Sequence, residues 1–263
     1  MTTLLTVDWG FFVPEERLMW NEFVETKYSF NDKWFDTFAT AYAYNLDLEE
    51  RIKTTGEEIG FWDRLRSKFI IPNHVLIKVT ESHVDAFDFA RKYEVDRIFC
   101  FDSHVDLGSQ SPKEIIDYSN AESNLNVYCV DWLGGYGVYC KYYRGQKIEI
   151  NVIERSHSRG FGFNDEIKED LNVNIVETED ELISGEEKIT VDLIHICRSG
   201  AWCPPWLDKN FSEFVNSLSK NYETELEERE WNREEVIEYS NRELKGKVPI
   251  NKPILTEPYN PKK

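Results

Sequence analysis

The chain has no cysteine pair in C-x-x-C spacing, and its five cysteines, Cys100, Cys129, Cys140, Cys197 and Cys203, are an odd number. A complete disulfide framework is therefore excluded, and reduced, buried thiols are expected in its place. No run of about 20 apolar residues occurs and no signal peptide is read, so a cytoplasmic protein without a membrane partner is expected. Positive charge is scarce: 31 Lys and Arg stand against 49 Asp and Glu, a formal net charge of −18. That balance repels phosphate backbones and argues against a nucleic-acid partner. The Gly134-Gly135 pair lacks the G-x-G-x-x-G pattern, so no nucleotide cofactor is assigned. A Gly/Ser/Pro-rich interior linker and an internal repeat are missing too. The 263 residues, 41% of them hydrophobic, are enough for one sizeable core. Residues 1–220 are read as that domain. From Asn221 to about Glu243 a charged helix is expected, followed by a Pro- and Lys-containing tail that either wraps the domain or mediates homo-oligomer contacts.

What is present alternates. Apolar runs at 3–8, 74–80, 97–102, 125–131, 147–153, 172–177 and 189–197 are separated by helix-compatible segments. Strands alternating with helices imply an α/β protein with a mostly parallel, doubly wound sheet. Trp34, Phe35, Phe38 and Tyr42 have the spacing of one helical face, and Phe61, Trp62, Leu65 and Phe69 make a second stripe; both are expected to pack on the sheet.

The most informative segment is Phe101-Asp102-Ser103-His104-Val105-Asp106, which follows an apolar run. In an extended backbone alternate side chains share one face, so Asp102, His104 and Asp106 converge. Two carboxylates and an imidazole suit a divalent cation such as Mn²⁺, Fe²⁺ or Zn²⁺. Upstream, the strand beginning at His74 ends in Glu81-Ser82-His83, one βαβ unit before the motif. Parallel strands place both carboxyl ends at one edge of the sheet, where ligands of open α/β folds gather. His83 is thus expected beside Asp102. Glu81 shares the face of His83, as a proton shuttle or as an ordinary surface or capping carboxylate.

On these residues the chain resembles the arginase/deacetylase superfamily, closely over 74–106 and loosely over 1–210, and within it the arginase-like proteins more than authentic arginases. The resemblance implies a three-layer α/β/α domain with a binuclear metal site, Mn²⁺ first and Fe²⁺ or Zn²⁺ as alternatives. It makes His83, Asp102, His104 and Asp106 ligands, with Asp102 the bridge. Arginases supply a further Asp-x-Asp pair from a late strand, and Ile189–Cys197 has none; aligning the loops puts His195 and Cys197 at those positions, with Asp192 as competitor. Asp8, at the end of Leu4-Leu-Thr-Val-Asp8-Trp-Gly10, resembles the D-x-D-x-F strand end of arginase-like proteins with Gly10 replacing the second acid. It is the candidate replacement ligand, or else the cap of a helix after Pro14. The activity implied is metal-dependent hydrolysis of a C–N bond (guanidino, amidino or amide) in a small polar substrate. A mononuclear zinc deacetylase and a non-catalytic binding protein are the rivals.

Three further residues are singled out. Arg198, after the last strand, is the candidate for recognising an anionic part of the substrate. His157, in a loop with two arginines, is a candidate proton shuttle. Asp131 is read either as orienting a ligand histidine or as an N-cap.

Overall fold

The structure, a computed structural model, describes residues 1–14, 30–103, 132–154, 171–176, 178, 181 and 187–247. Its elements in chain order begin with β1 (Thr3–Asp8), a single 3₁₀ turn (Trp9–Phe12), α1 (Phe30–Ala43), α2 (Leu48–Arg51), α3 (Phe61–Lys68) and β2 (Phe69–Ile70). Then come β3 (Leu76–Thr80), α4 (Asp85–Lys92), β4 (Arg97–Asp102), α5 (Trp132–Tyr139), β5 (Glu149–Glu154) and β6 (Asn172–Val176). The last part holds β7 (Ile189–Thr190), β8 (Leu193–Cys197), α6 (Asp208–Leu218), β9 (Glu223–Glu225) and α7 (Arg233–Tyr239).

Seven strands form one sheet in the order β6-β5-β4-β1-β8-β3-β9, and every neighbouring pair is parallel. Strands of a parallel sheet are covered on both faces, so they read as continuous apolar runs, as Leu4–Val7 does here. Leu4, Ile98, Cys100, Ile150, Val152 and Leu193 pack with Phe87 and Phe89 of α4 and Trp132 and Tyr136 of α5. The alternate residues Leu5, Val7, Phe99, Phe101, Ile194 and Ile196 pack with Trp34 and Phe38 of α1, Phe61 and Trp62 of α3, and Phe211 and Phe214 of α6. Both aromatic stripes read from the sequence are thus core, and Trp34, Phe38 and Phe61 are fully buried.

Several expectations are corrected. The run 189–197 is not one strand: β7 pairs with β2 in a separate small sheet, and β8 enters the main sheet between β1 and β3. The break falls where Asp192 turns its Oδ2 to the Thr3 amide, 2.8 Å away. Strands β3 and β4 are not neighbours, because β8 and β1 lie between them. Gly134-Gly135 lies inside α5. The charged helix from Asn221 is instead an edge strand, β9, followed by a helix that starts only at Arg233. Exposed glutamates suit an edge strand, whose open backbone they protect from further pairing, and Lys78 meets Glu225 at 3.1 Å. Leu226, Trp231, Ile237 and Tyr239 pack against the core, which ties this segment to the domain. The run 125–131 and the tail beyond 247 lie outside the described residues. No described helix is long and apolar enough to cross a membrane.

Candidate functional site

After β1 the chain crosses to β3 on one side of the sheet, whereas after β4 it continues to β5 on the other. Neighbouring strands whose chains leave in opposite directions open a crevice at their carboxyl ends, the usual place for a ligand in this kind of sheet. The two strands end in Asp8 and Asp102, and they run in register from Thr3 opposite Arg97 to Val7 opposite Phe101. Both carboxylates are therefore delivered to one point by strand pairing.

His83 reaches the same point from the turn after β3. It lies just before α4, and its carbonyl accepts from the Ala86 amide at 3.0 Å, which anchors its backbone to the helix start. Its Nδ1 lies 2.7 Å from Asp102 Oδ2 and 3.6 Å from Asp8 Oδ2. Its Nε2 lies 2.8 Å from the Thr6 hydroxyl. The indole of Trp132 covers the ring, with centroids 5.1 Å apart. All three acid–imidazole groups are buried, at 4% exposure for Asp8, 5% for His83 and 1% for Asp102, so a charge held there is poorly screened by water.

Asp8 has two tasks. Its Oδ1 accepts from the Gly10 amide at 2.6 Å and caps the 3₁₀ turn, while its Oδ2 faces His83. The cap serves Trp9–Phe12; the helix expected after Pro14 falls outside the described residues. Gly10 is required by close approach: a Cβ there would lie 2.8 Å from Asp8 Oδ1 and 3.2 Å from Ser103 Oγ. Ser103 Oγ and Trp132 Nε1 are buried without a hydrogen-bond partner among the described residues. Unmet buried donors of this kind cost free energy unless something fills them.

The sequence reading missed Cys100. Its sulfur, a nitrogen of His83 and an oxygen of Asp102 lie within 4.8 Å of one another, all on buried residues. The signal was present, because Cys100 precedes Asp102 by two and so shares its face. Thr6 stands in the same relation to Asp8, and its register partners are Cys100 and His195.

Other expected site residues sit elsewhere. His195 is fully buried beneath Thr6, with Nδ1 3.1 Å from the Thr6 hydroxyl and Nε2 2.9 Å from the Thr80 hydroxyl. Burial, and then the charges of His83 and Lys78, push its pKa well below the ordinary value of 6.5. Asp192 lies at the start of β8, at the opposite edge of the sheet from Asp8. Glu81 and Arg198 are paired with each other, Arg198 Nη2 donating to Glu81 Oε2 at 2.5 Å. Arg198 also donates to Asp208 at 3.1 Å and to the Glu227 carbonyl at 2.6 Å, and Arg229 closes the cluster on Asp208. Glu81 further accepts from the Glu227 amide at 3.3 Å. Gly200 lets the loop after β8 pass this cluster, since a Cβ there would lie 1.8 Å from Glu81 Oε1. His104, Asp106, Asp131 and His157 lie outside the described residues.

Compared with protein-family models, curated proteins and solved structures, the chain finds no match.

Proposed function

We propose that this protein is a divalent-metal-dependent hydrolase built on a three-layer, arginase/deacetylase-like α/β/α domain, cleaving a C–N bond in a small polar substrate. One observation carries the reading: the Nδ1 of His83 points between two buried carboxylates at the crevice where β1 and β4 part. The donor set fits a cation, since imidazole nitrogen and carboxylate oxygens are ligands for Mn²⁺, Fe²⁺ and Zn²⁺. The absence of a Cβ at Gly10 lets Asp8 and Ser103 both approach the backbone there.

A divalent ion bound there supplies Lewis acidity and brings the acidity of water toward neutral pH. Asp8 and Asp102 supply the negative charge that holds it. Trp132 and the surrounding apolar side chains keep bulk water from the His83 face, which strengthens each charge interaction in the crevice. Ser103, whose buried hydroxyl has no hydrogen-bond partner among the described residues, would be available as a donor beside the ion. His104 and Asp106 remain part of this proposal as ligands, with the binuclear Mn²⁺ form that they imply. The proximity of Cys100 favours a second form, a single Zn²⁺ held by thiolate, imidazole and carboxylate.

Metal analysis of the full chain purified without chelator tests this directly. The expected result is bound Mn²⁺, Fe²⁺ or Zn²⁺, lost in Asp102→Asn and His83→Asn without loss of the folded state. Hydrolysis of guanidino, amidino or acetylated small molecules should then vanish on chelation and return with metal. A chain that takes up none of these ions at micromolar free concentration overturns the reading.

A further inference from the structure

Beneath the crevice four polar groups form a buried line whose hydrogen-bond polarity can be worked out. Thr80 Oγ1 lies 2.9 Å from the Ser82 carbonyl, which only accepts, so the single hydroxyl proton of Thr80 goes there. Thr80 must then accept from its other neighbour, His195 Nε2, 2.9 Å away. His195 meets hydroxyls on both ring nitrogens, and it is fully buried, so it is the neutral imidazole with its one proton on Nε2. Its Nδ1 must accept, and the donor is the Thr6 hydroxyl at 3.1 Å. With its proton committed, Thr6 in turn accepts from His83 Nε2–H at 2.8 Å.

We infer that Thr80, His195 and Thr6 are a positioning chain that fixes the proton of His83 on Nε2 and presents its Nδ1 to Asp8 and Asp102. The inference explains why the two imidazole planes lie within 3° of parallel, with centroids 5.9 Å apart: both rings are set by the same hydroxyl between them. It also gives His195 a role other than that of a ligand. An Nδ1 lone pair facing two carboxylates is repelled by both, and a positive charge between them relieves that repulsion. That charge is either a second proton or a bound cation. The consequence for metal binding rests on the function proposed above; the proton arrangement does not.

Ligand histidines are commonly held through their other ring nitrogen, and removing that partner lowers metal affinity about 10–100-fold. Thr6→Val is therefore expected to weaken Zn²⁺ binding by roughly that factor, and Thr6→Ser to restore it. The decisive readout is spectroscopic. With five histidines in the chain, long-range ¹H–¹⁵N correlations of the ring nitrogens can be assigned by single variants. At neutral pH His195 should show a protonated Nε2 and an unprotonated Nδ1, unmoved by Zn²⁺. His83 should keep its Nε2 proton while Zn²⁺ shifts Nδ1. An unprotonated Nε2 on His83, or Zn²⁺ moving the nitrogens of His195, overturns the inference, as does a folded Thr6→Val chain that binds Zn²⁺ like the parent. If the parent binds no Zn²⁺ yet shows this proton pattern, the chain of hydrogen bonds stands and the metal reading falls.

Discussion

Cys100 separates the two forms of the proposed site at the scale of a single residue. Thiolate is a good ligand for Zn²⁺ and a poor one for Mn²⁺, which prefers oxygen. Cys100→Ser is accordingly expected to lower Zn²⁺ affinity about 10-fold or more while leaving Mn²⁺ binding nearly unchanged. In the parent chain, Co²⁺ loaded into a thiolate site gives a near-ultraviolet sulfur-to-metal band, and Cys100→Ser should abolish it. A parent without that band places the sulfur outside the coordination sphere. His195 gives a second residue-scale prediction. Its pKa is lowered by folding, chiefly by burial, from an unfolded value of 6.5. Below that pH the unfolded chain binds a proton that the folded chain does not, so stability falls as pH falls. The loss is about 1.4 kcal/mol per pH unit below the unfolded pKa, until the folded value is reached. Above pH 6.5 the residue contributes no slope. Urea unfolding with chelator present, from pH 7 to 5, should show His195→Asn with a flatter profile than the parent; an equal slope would remove His195 as the cause.

Among the elements, the loops leaving β3 and β8 and the start of α6 are held by one charge cluster. Arg198, at 5% exposure, and Glu81, at 9%, are buried together. Removing one member of such a pair leaves the other charged and unsolvated, which costs about 3–5 kcal/mol. Arg198→Ala should therefore lower the denaturation midpoint strongly, with the double change Arg198→Met and Glu81→Leu less harmful than the single one. Were Arg198 an anion clamp for substrate, its loss would instead raise KM with little effect on stability. Legibility from sequence also differs among elements. The strands β1, β4 and β5 coincide with largely apolar runs, because a strand covered on both faces buries both sets of side chains, whereas the edge strand β6 alternates, with Asn172 and Asn174 exposed. Strand order was hidden, since periodicity reports what an element buries and not which neighbour it pairs with. The sequence pattern therefore brought His83 to Asp102 through adjacent strands, whereas the structure brings it across β8 and β1. Asp8, His83 and Asp102 were legible as charged groups at strand ends. Cys100 was legible by its i, i+2 relation to Asp102 but was passed over; Thr6 and Thr80 were not legible, because small side chains within apolar strands read as packing until the groups next to them are known.

The whole molecule is bound together by a segment that its composition disguises. Residues 221–247 are rich in charge, and β9 carries no apolar side chain at all. Its glutamates face solvent at the sheet's edge while the backbone pairs with β3. Further on, Trp231 packs its ring 5.2 Å from Phe38 of α1 and 5.0 Å from Trp206, and its Nε1 donates to Glu49. Val236 is buried, and the Ser240 hydroxyl donates to the Ala39 carbonyl of α1 at 2.7 Å. Arg229 holds Asp208 at the start of α6, which is the same cluster that fixes Arg198. Ending the chain after residue 220 would thus expose Phe38 and Trp206, leave the Ala39 carbonyl without this partner and free one side of the charge cluster, several losses of about 1 kcal/mol or more each. Such losses together rival the 5–15 kcal/mol that typically separates folded from unfolded domains. The truncated chain is expected to aggregate or unfold at 37 °C. Truncation after 247 should retain the parent's melting temperature if the packed segment suffices. Circular dichroism melts of the two truncations decide the point, and a chain ending at 220 that melts like the parent would show that residues 221–247 only decorate a domain complete without them.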